Sequence, residues 1–516
     1  MHELKKKAFF GIVWSGGNRI FGEFAALIKR IVLARILIPE QFGIVAMAFI
    51  VLAVINILQS ASVGSAFVRD NKSDPIRAKN TLFYLSAIPR IVVALLGFFL
   101  APYGASFFAD KIADPNMVIT LTWIIRVLAL SHLIGIISIV SGTVLGKELR
   151  VKEGVKAGMI TQTIGLVLTI ILAYMGFGVW ALIIPVPITG LISALIIYHY
   201  SPFIPSLIFD KQIARNYMKF GINSFLTSIM NVVITQGDDA IIARVVGSAA
   251  IAFYTMGGHF AGLASSIISG LIQGVLFPVL SKLQDSKEAF TRAYFKVFRL
   301  SNTFSIPGIV GAALLAPEIV EHVLGANWLP IVPVFYILSI AAILGDMVAG
   351  AGAVINTMNR PDILRNNRFI QMSLFVILVY PFAKLWGLKG VTIVMVFFPI
   401  VSIIHLFPHL SKYIDKLYSN LFKIMSRILI CTGIMAVAVY FMKKFLFSMF
   451  SVNIFWLIGL SISGAILYFI IIFLLDKSLK YDVREAVELL LGKIHNENIR
   501  IKIISLMDKI PLLRIK

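Results

Sequence analysis

The sequence contains a single cysteine, Cys431, among 516 residues. One thiol excludes an intrachain disulfide framework and a thiolate metal cluster. Cys431 lies in an apolar run and reads as a small packing residue. Charge is scarce: Asp, Glu, Lys and Arg together make up 14% of the chain. Acidic residues are scarcer still, 25 against 47 Lys and Arg. No polar stretch between apolar blocks exceeds roughly twenty residues, too short for an extramembrane catalytic domain. The eight histidines never cluster at ligand spacing, and no Ser–His–Asp order stands out. No catalytic group, metal or cofactor is therefore expected.

Apolar residues, by contrast, make up 59% of the chain, and the mean hydropathy is +0.91. Soluble domains average roughly 45–50%. A water-soluble enzyme and a disordered chain are both excluded. A bilayer crossing takes about 20 apolar residues as helix, and fourteen candidate stretches are present: 8–36, 42–66, 80–101, 118–143, 154–175, 177–199, 218–242, 248–275, 294–317, 331–357, 366–384, 389–409, 421–442 and 453–475. Turn and cap residues such as Pro39, Gly176 and Pro361 fall between them.

The net charge of +22 has a topological reading. Inner loops of membrane proteins collect Lys and Arg. With fourteen spans, 35 of the 47 basic residues fall on the side that holds both ends of the chain, and 6 on the other. Both termini are thus predicted in the cytoplasm, and nucleic acid is not expected as a partner. Lys5, Lys6 and Lys7 imitate the start of a signal peptide, but Arg19, Glu23, Lys29 and Arg30 follow. The segment therefore reads as an uncleaved first helix. Residues 476–516 mix charges with Leu and Ile and are predicted to form an amphipathic helix on the inner membrane surface or on cytoplasmic loops, a solvated anchor without a specific partner.

A shift of 209 residues aligns Lys29-Arg30-Ile31-Val32-Leu33-Ala34-Arg35 with Asp238-Asp239-Ala240-Ile241-Ile242-Ala243-Arg244. This equates the first span with the seventh. The prediction is an all-α polytopic membrane protein of about fourteen transmembrane helices. Two pseudo-symmetric six-helix lobes, 1–205 and 206–415, precede two additional helices at 416–475 and the tail at 476–516. Transporters are often built from such repeats, with the substrate site between the halves.

The run Val32-Leu-Ala-Arg-Ile-Leu-Ile-Pro-Glu-Gln-Phe-Gly-Ile-Val-Ala46 resembles the LARxLxPxxFGxxA signature of the polysaccharide transporter family, part of the multidrug/oligosaccharidyl-lipid/polysaccharide exporter superfamily. Leu315-Ala-Pro-Glu-Ile-Val320, Leu324-Gly-Ala-Asn-Trp328 and Phe277-Pro-Val-Leu-Ser281 are similar to further motifs of that family. The resemblance runs from about residue 8 to 410. It implies a flippase in the bacterial cytoplasmic membrane. Such a protein carries an undecaprenyl-pyrophosphate-linked oligosaccharide to the outer leaflet, with polymerase and assembly proteins as potential partners. A drug exporter or a peptidoglycan-precursor flippase shares the fold. A membrane glycosyltransferase or polymerase is the alternative of a different class, disfavoured by short outer loops.

Ionisable groups inside a bilayer are costly and point to a transport pathway. At 100° per residue, Arg19 and Arg30 fall within about 20° of one helix face, with Glu23 beside them. Ser15, Asn18 and Lys29 extend that polar stripe. Arg90 and Arg126 fall within the third and fourth spans. The guanidinium fork suits phosphate, so Arg19, Arg90 and Arg126 are candidates to hold the lipid-linked headgroup. The structural alternative pairs Arg19 with Glu23 and places the others on backbone carbonyls.

Lys29 and Arg30 lie near the outer interface, where they either snorkel or, by the repeat, meet Asp238 and Asp239 in an outer gate. Asp238, Asp239 and Asp346 are alternatively sites for a coupling proton or sodium ion. Ser224, Ser228, Asn231, Thr235 and Asp238 share a face of the seventh span. That face suits sugar hydroxyls or helix–helix hydrogen bonding equally. Gln236, Gln273 and Asn356 are weaker candidates of the same kind. Gly142–Lys147 imitates a phosphate-binding loop but is one residue short, and no Ser or Thr follows the lysine.

Overall fold

A computed structural model of the chain describes residues 2–59 and 63–475 and most of the side chains among them. The amphipathic helix predicted for 476–516 lies outside the described residues, as do the side chains of Ser15, Ser224 and Gln273. All regular structure among the described residues is helical, and the chain is an all-α membrane protein.

Nine described helices are long and apolar enough to cross a membrane. The count becomes ten if Lys287–Leu314 and Ala316–Leu324, bent by 70°, form one span. The difference from fourteen has physical sources. The first and seventh predicted spans are helical, as α1 (His2–Ile36) and α10 (Lys211–Ile241), but carry ionisable residues in their interiors. The eleventh and twelfth form one continuous stretch, Pro361–Leu410, which turns at Gly387 (φ 56°, ψ −134°). Only the charge alternation argues for fourteen crossings.

The chain packs as two units. The first comprises residues 1–256 and 372–394. After α1 it contains α2 (Pro39–Asn56), α3 (Val63–Arg69), α4 (Pro75–Ser106), α5 (Pro115–Ile134), α6 (Ile139–Lys147), α7 (Val151–Tyr174), α8 (Trp180–Ile183), α9 (Pro185–Tyr200), α10 and the start of α11 (Ser248–Lys282). Several starts follow local rules. Proline, which has no N–H to lose, opens α2, α4, α5 and α9. Asp74 and Asp210 accept first-turn N–H groups of α4 and α10.

The link between α9 and α10 is fastened to α4. Ser206 N donates to Asn80 Oδ1 (2.6 Å), Asp210 N to Thr81 Oγ1 (3.1 Å), and Tyr84 donates its hydroxyl to Ser206 O (2.9 Å). Asn80 and Thr81 are buried, so their polarity on an apolar helix serves this joint.

The turn from α10 into α11 needs glycine. Residues Ile242–Val246 form a wide helical turn closed by Gly247 at φ 130°, ψ 179°, a conformation essentially confined to glycine. Gly43 of α2 packs on the next residue, and a Cβ there would strike the Ser248 carbonyl. Arg244 reaches Asp110 at 2.8 Å and lies over Phe107, which ties this turn to the α4–α5 connection.

The second unit comprises residues 257–371 and, as far as they are described, 395–475. Its described helices include most of α11, α12 (Lys287–Leu314), α13 (Ala316–Ile319), α14 (Ile331–Met347), α15 (Ala351–Thr357), the ends of α16 (Pro361–Leu410), α17 (Leu417–Met449) and α18 (Ile454–Leu475). Its core gathers Phe290, Tyr294 and Phe298 of α12 with Ile428 and Cys431 of α17 and Tyr468 of α18. Lys443 of α17 donates to Glu318 Oε2 (2.8 Å) and to the Leu314 carbonyl (2.9 Å), and so caps the end of α12.

Candidate functional site

In the first unit, α1, α7 and α9 line an open cavity of about 420 Å³. Such a volume falls within the range of small-molecule sites, roughly 300–1,000 Å³. The approach of α1 to α7 rests on small residues. Gly22 faces the Gln162 amide, with the position of a Cβ 3.1 Å from its oxygen, and Gly158 faces the Asn18 amide at the same separation. The cavity wall is mostly apolar and carries polar groups at helical spacing: Thr161 and Gln162 on α7, Thr189 and Ser193 on α9, and Lys29 on α1.

The cavity is short of internal partners. Lys29 makes no hydrogen bond or ion pair among the described residues. Among the described residues Gln162 Oε1 and Asn18 Oδ1 are buried acceptors without donors. Thr161 and Thr189 spend their protons on the Ala157 and Pro185 carbonyls (2.9 and 2.7 Å), which leaves oxygen lone pairs inward. One ammonium, the Gln162 amide and the hydroxyls of Thr161, Thr189 and Ser193 form a set that can hold an anionic, hydroxyl-rich group. Among the described residues no cluster of His, Cys, Asp or Glu suits a metal ion.

The predicted arginines occupy different surroundings. Arg19 is exposed on α1, Glu23 is half-buried, and no ion pair joins them among the described residues. Arg90 of α4 extends over Gly135, the residue that ends α5, where a Cβ would collide with its Nη1. A cation there also meets the negative end of the α5 dipole. Arg126 donates from Nε to the Phe98 carbonyl (3.3 Å) and lies over the rings of Phe98 and Trp123 (5.0 and 4.9 Å). Arg126 thus has the contacts of the structural alternative named above.

Lys29 and Arg30 make no ion pair with Asp238 or Asp239 among the described residues. Arg30 Nη1 is buried without a hydrogen-bond partner among the described residues. Asp238 is buried, and its Oδ2 accepts a 2.5 Å hydrogen bond from Tyr254 of α11. Asp239 is half-buried beside it. On the same helix Ser228 is half-buried, while Asn231 and Thr235 are exposed.

In the second unit Asp346 is buried at the last turn of α14. The helix breaks directly after it: Val348 to Gly350 leave the helical path, and Gly350 (φ 83°) starts α15. Ser265 of α11 donates to Asp346 Oδ2 (2.7 Å), and Asn302 of α12 donates to its carbonyl (3.4 Å). Ser301, Thr303, Ser305 and Ser339 are buried on α12 and α14. Broken helices at membrane depth occur where backbone lines a polar site.

Sequence reading did not single out Gln162, Thr161, Thr189 and Ser193. The signal was present as small and polar residues four apart on otherwise apolar helices: Thr161 and Gly165, Thr189 and Ser193. It was masked because each is uncharged. Lys147, of the imitated phosphate loop, lies over Phe67 and donates to the carbonyls of Phe67 and Asp70.

Comparison with known proteins gives concordant results. The chain is 22% identical to the lipopolysaccharide biosynthesis protein WzxC of Escherichia coli over 406 residues, 78% of this chain and 80% of that protein. It is 23% identical to the succinoglycan biosynthesis transport protein ExoT of Rhizobium meliloti over 310 residues, 60% of this chain and 61% of that protein. In three dimensions it resembles the lipid II flippase MurJ in an inward closed conformation. That likeness has a TM-score of 0.72 at 16% identity and covers 91% of this chain and 99% of that one. It establishes the fold, that of a polytopic all-α membrane protein. The polysaccharide biosynthesis protein family model matches residues 32–333, more than half the chain, and the protein belongs to that family.

Proposed function

We propose that this protein flips a polyprenyl-pyrophosphate-linked oligosaccharide, of the undecaprenyl type, from the inner to the outer leaflet of a bacterial cytoplasmic membrane. It would thereby supply surface polysaccharide synthesis. The observation that carries the reading is the cavity of α1, α7 and α9, which Lys29, unpaired among the described residues, lines together with the Gln162 amide and the Thr161, Thr189 and Ser193 hydroxyls. Sugars present both donors and acceptors, and a phosphate presents charge; this wall answers both. Family membership and transport-named relatives support the same class. A cationic drug would meet like charge in a medium of low dielectric, where repulsion is strong.

In this reading Lys29 and Arg19 attract the pyrophosphate, and Arg90 and Arg126 keep the unit's potential positive. Ser228 and Asn231 offer further sugar contacts. The polyprenyl tail stays in the surrounding lipid. The transporter alternates between inward and outward access, driven by unequal binding of the two states. Lys29 and Arg30 meet Asp238 and Asp239 only in a state other than the one described. Asp346 and the Asp238–Asp239 pair are the sites for a coupling proton or sodium ion. Both chain termini lie in the cytoplasm, and a polysaccharide polymerase receives the product outside.

Gene deletion followed by analysis of surface polymer and lipid-linked intermediates tests the proposal. Loss of one polymer with accumulated polyprenyl-linked precursor is the expected result. Unchanged polymer with raised drug sensitivity would overturn it in favour of an exporter.

A further inference from the structure

Asp346 stands where a bare carboxylate is least stable. It is 5% exposed, and no lysine, arginine or histidine among the described residues pairs with it. It also falls in the last turn of α14, the negative end of the helix dipole, which disfavours an anion and favours a cation. A buried carboxylate in such a place is costly unless a cation or a proton neutralises it.

The groups around this carboxyl offer oxygen. Ser265 of α11 spends its proton on Oδ2 (2.7 Å), and its lone pairs remain. Asn302 of α12 directs Nδ2 at the carbonyls of Phe298 (2.8 Å) and Asp346 (3.4 Å). Its Oδ1 is buried and accepts no hydrogen bond among the described residues. Ser305 stands beside the same carboxyl, but its hydroxyl is buried outside hydrogen-bonding geometry with any described residue. Asn302 and Ser305 are both fully buried. Three residues apart on α12, they share one face. All four side chains belong to the second unit.

A proton would neutralise Asp346, but one O–H answers one acceptor. Asn302 Oδ1 and Ser305 Oγ would not both be satisfied. A hard cation takes several oxygens at once. Calcium sites gather several carboxylates, whereas among the described residues no cluster of His, Cys, Asp or Glu forms here. A single carboxylate matches a monovalent ion. The chain leaves the helical path directly after Asp346, at Val348 to Gly350. Unwound backbone and the carboxyl ends of broken helices are where transporters hold sodium.

We propose that Asp346 is a sodium site, with the ion held by its carboxylate and by the side-chain oxygens of Ser265, Asn302 and Ser305 at the break after α14. The inference rests on the reading of Asp346 as an ion site, which it commits to sodium; it does not rest on the cargo.

The test uses the full chain in mild detergent and follows thermal unfolding in sodium chloride against choline chloride at equal ionic strength. Sodium should raise the melting temperature saturably. Asp346→Asn should abolish that response while unfolding no earlier than the parent in choline chloride, because it removes an uncompensated charge. Ser305→Ala, which deletes one buried hydroxyl, should raise the half-saturating sodium concentration about tenfold, the low end of what a lost supporting contact costs a metal site. It also serves as the second variant if Asp346→Asn does not fold. Equal melting temperatures of the parent in the two salts would overturn the site. So would a sodium response that Asp346→Asn, or Ser305→Ala in its place, leaves unchanged. A parent that is indifferent to sodium but stabilised by lowering the pH, through Asp346, would assign the carboxyl to a proton and overturn sodium. The readout is binding alone, so a failed sodium response leaves the polymer assay intact, and an unchanged polymer leaves this site intact.

Discussion

Tyr254 donates to Oδ2 of Asp238 across 2.5 Å, while Oδ1 of the same carboxylate is buried without a hydrogen-bond partner among the described residues. The pair links α10 to α11 on either side of the Gly247 turn. Tyr254→Phe should cost about 1 kcal/mol of stability, the scale of hydrogen bonds between membrane helices. It should lower transport further than that loss explains, because the carboxylate then lacks its donor. Thermal unfolding and polysaccharide complementation measured on the same variant check this, and normal complementation would remove Asp238 from the mechanism.

Lys29 offers a sharper separation of stability from function. A half-buried ammonium with no partner destabilises the fold that holds it. Lys29→Met should therefore leave the melting temperature unchanged or raise it, yet cut polymer export at least about tenfold, the loss of one charged contact. Lys29→Arg should keep part of the activity. A variant that unfolds would instead mark Lys29 as structural.

Lys443 and Glu318 are both mostly buried, and the lysine also caps the end of α12. Lys443→Met leaves a carboxylate and a carbonyl unpaired and should cost about 2 kcal/mol, below the 3–5 of a fully buried broken pair. Replacing both partners with apolar residues should recover much of the loss. Unfolding in detergent for the two singles and the double gives the coupling directly.

Asp70, in the connection after α3, is a group whose ionisation contributes to the fold. Partial burial pushes its pKa up. Hydrogen bonds from Ser73, from the Tyr217 hydroxyl (2.8 Å) and from the Lys72 and Ser73 amides outweigh that and bring it down to about 2. A folded value below the unfolded one, about 3.9, means stability present above pH 4 and lost as pH falls toward 2. Asp70→Asn should flatten that acid limb of the melting temperature. An unchanged acid limb would show that other carboxylates dominate it.

The helices were legible because apolar blocks of bilayer length are a strong signal, whereas lysine and arginine give only an expectation for the side of each loop. Arg126 shows the limit of that reading. A lone arginine in a span marks a cost, but the sequence cannot say whether a carbonyl and two rings meet it, as Phe98 and Trp123 do. The α1–α7–α9 cavity was half legible: Lys29 announced itself by charge, whereas Gln162 and Ser193 are uncharged residues of a kind that membrane helices also use simply to pack. The break after Asp346 was invisible, because Gly350 lies among other small residues and nothing in their order marks which peptide turns.

The burial of the lone Cys431 has a practical consequence. Its thiol is fully enclosed by α17 and its neighbours, so membrane-impermeant maleimides should find nothing to label on the parent protein. Cysteines placed one at a time at Ser106, Ser201, Ser411 and Ser451 would then report their own side of the bilayer without background. Four such labels assign the loops after α4, α9, α16 and α17 to one side of the bilayer or the other.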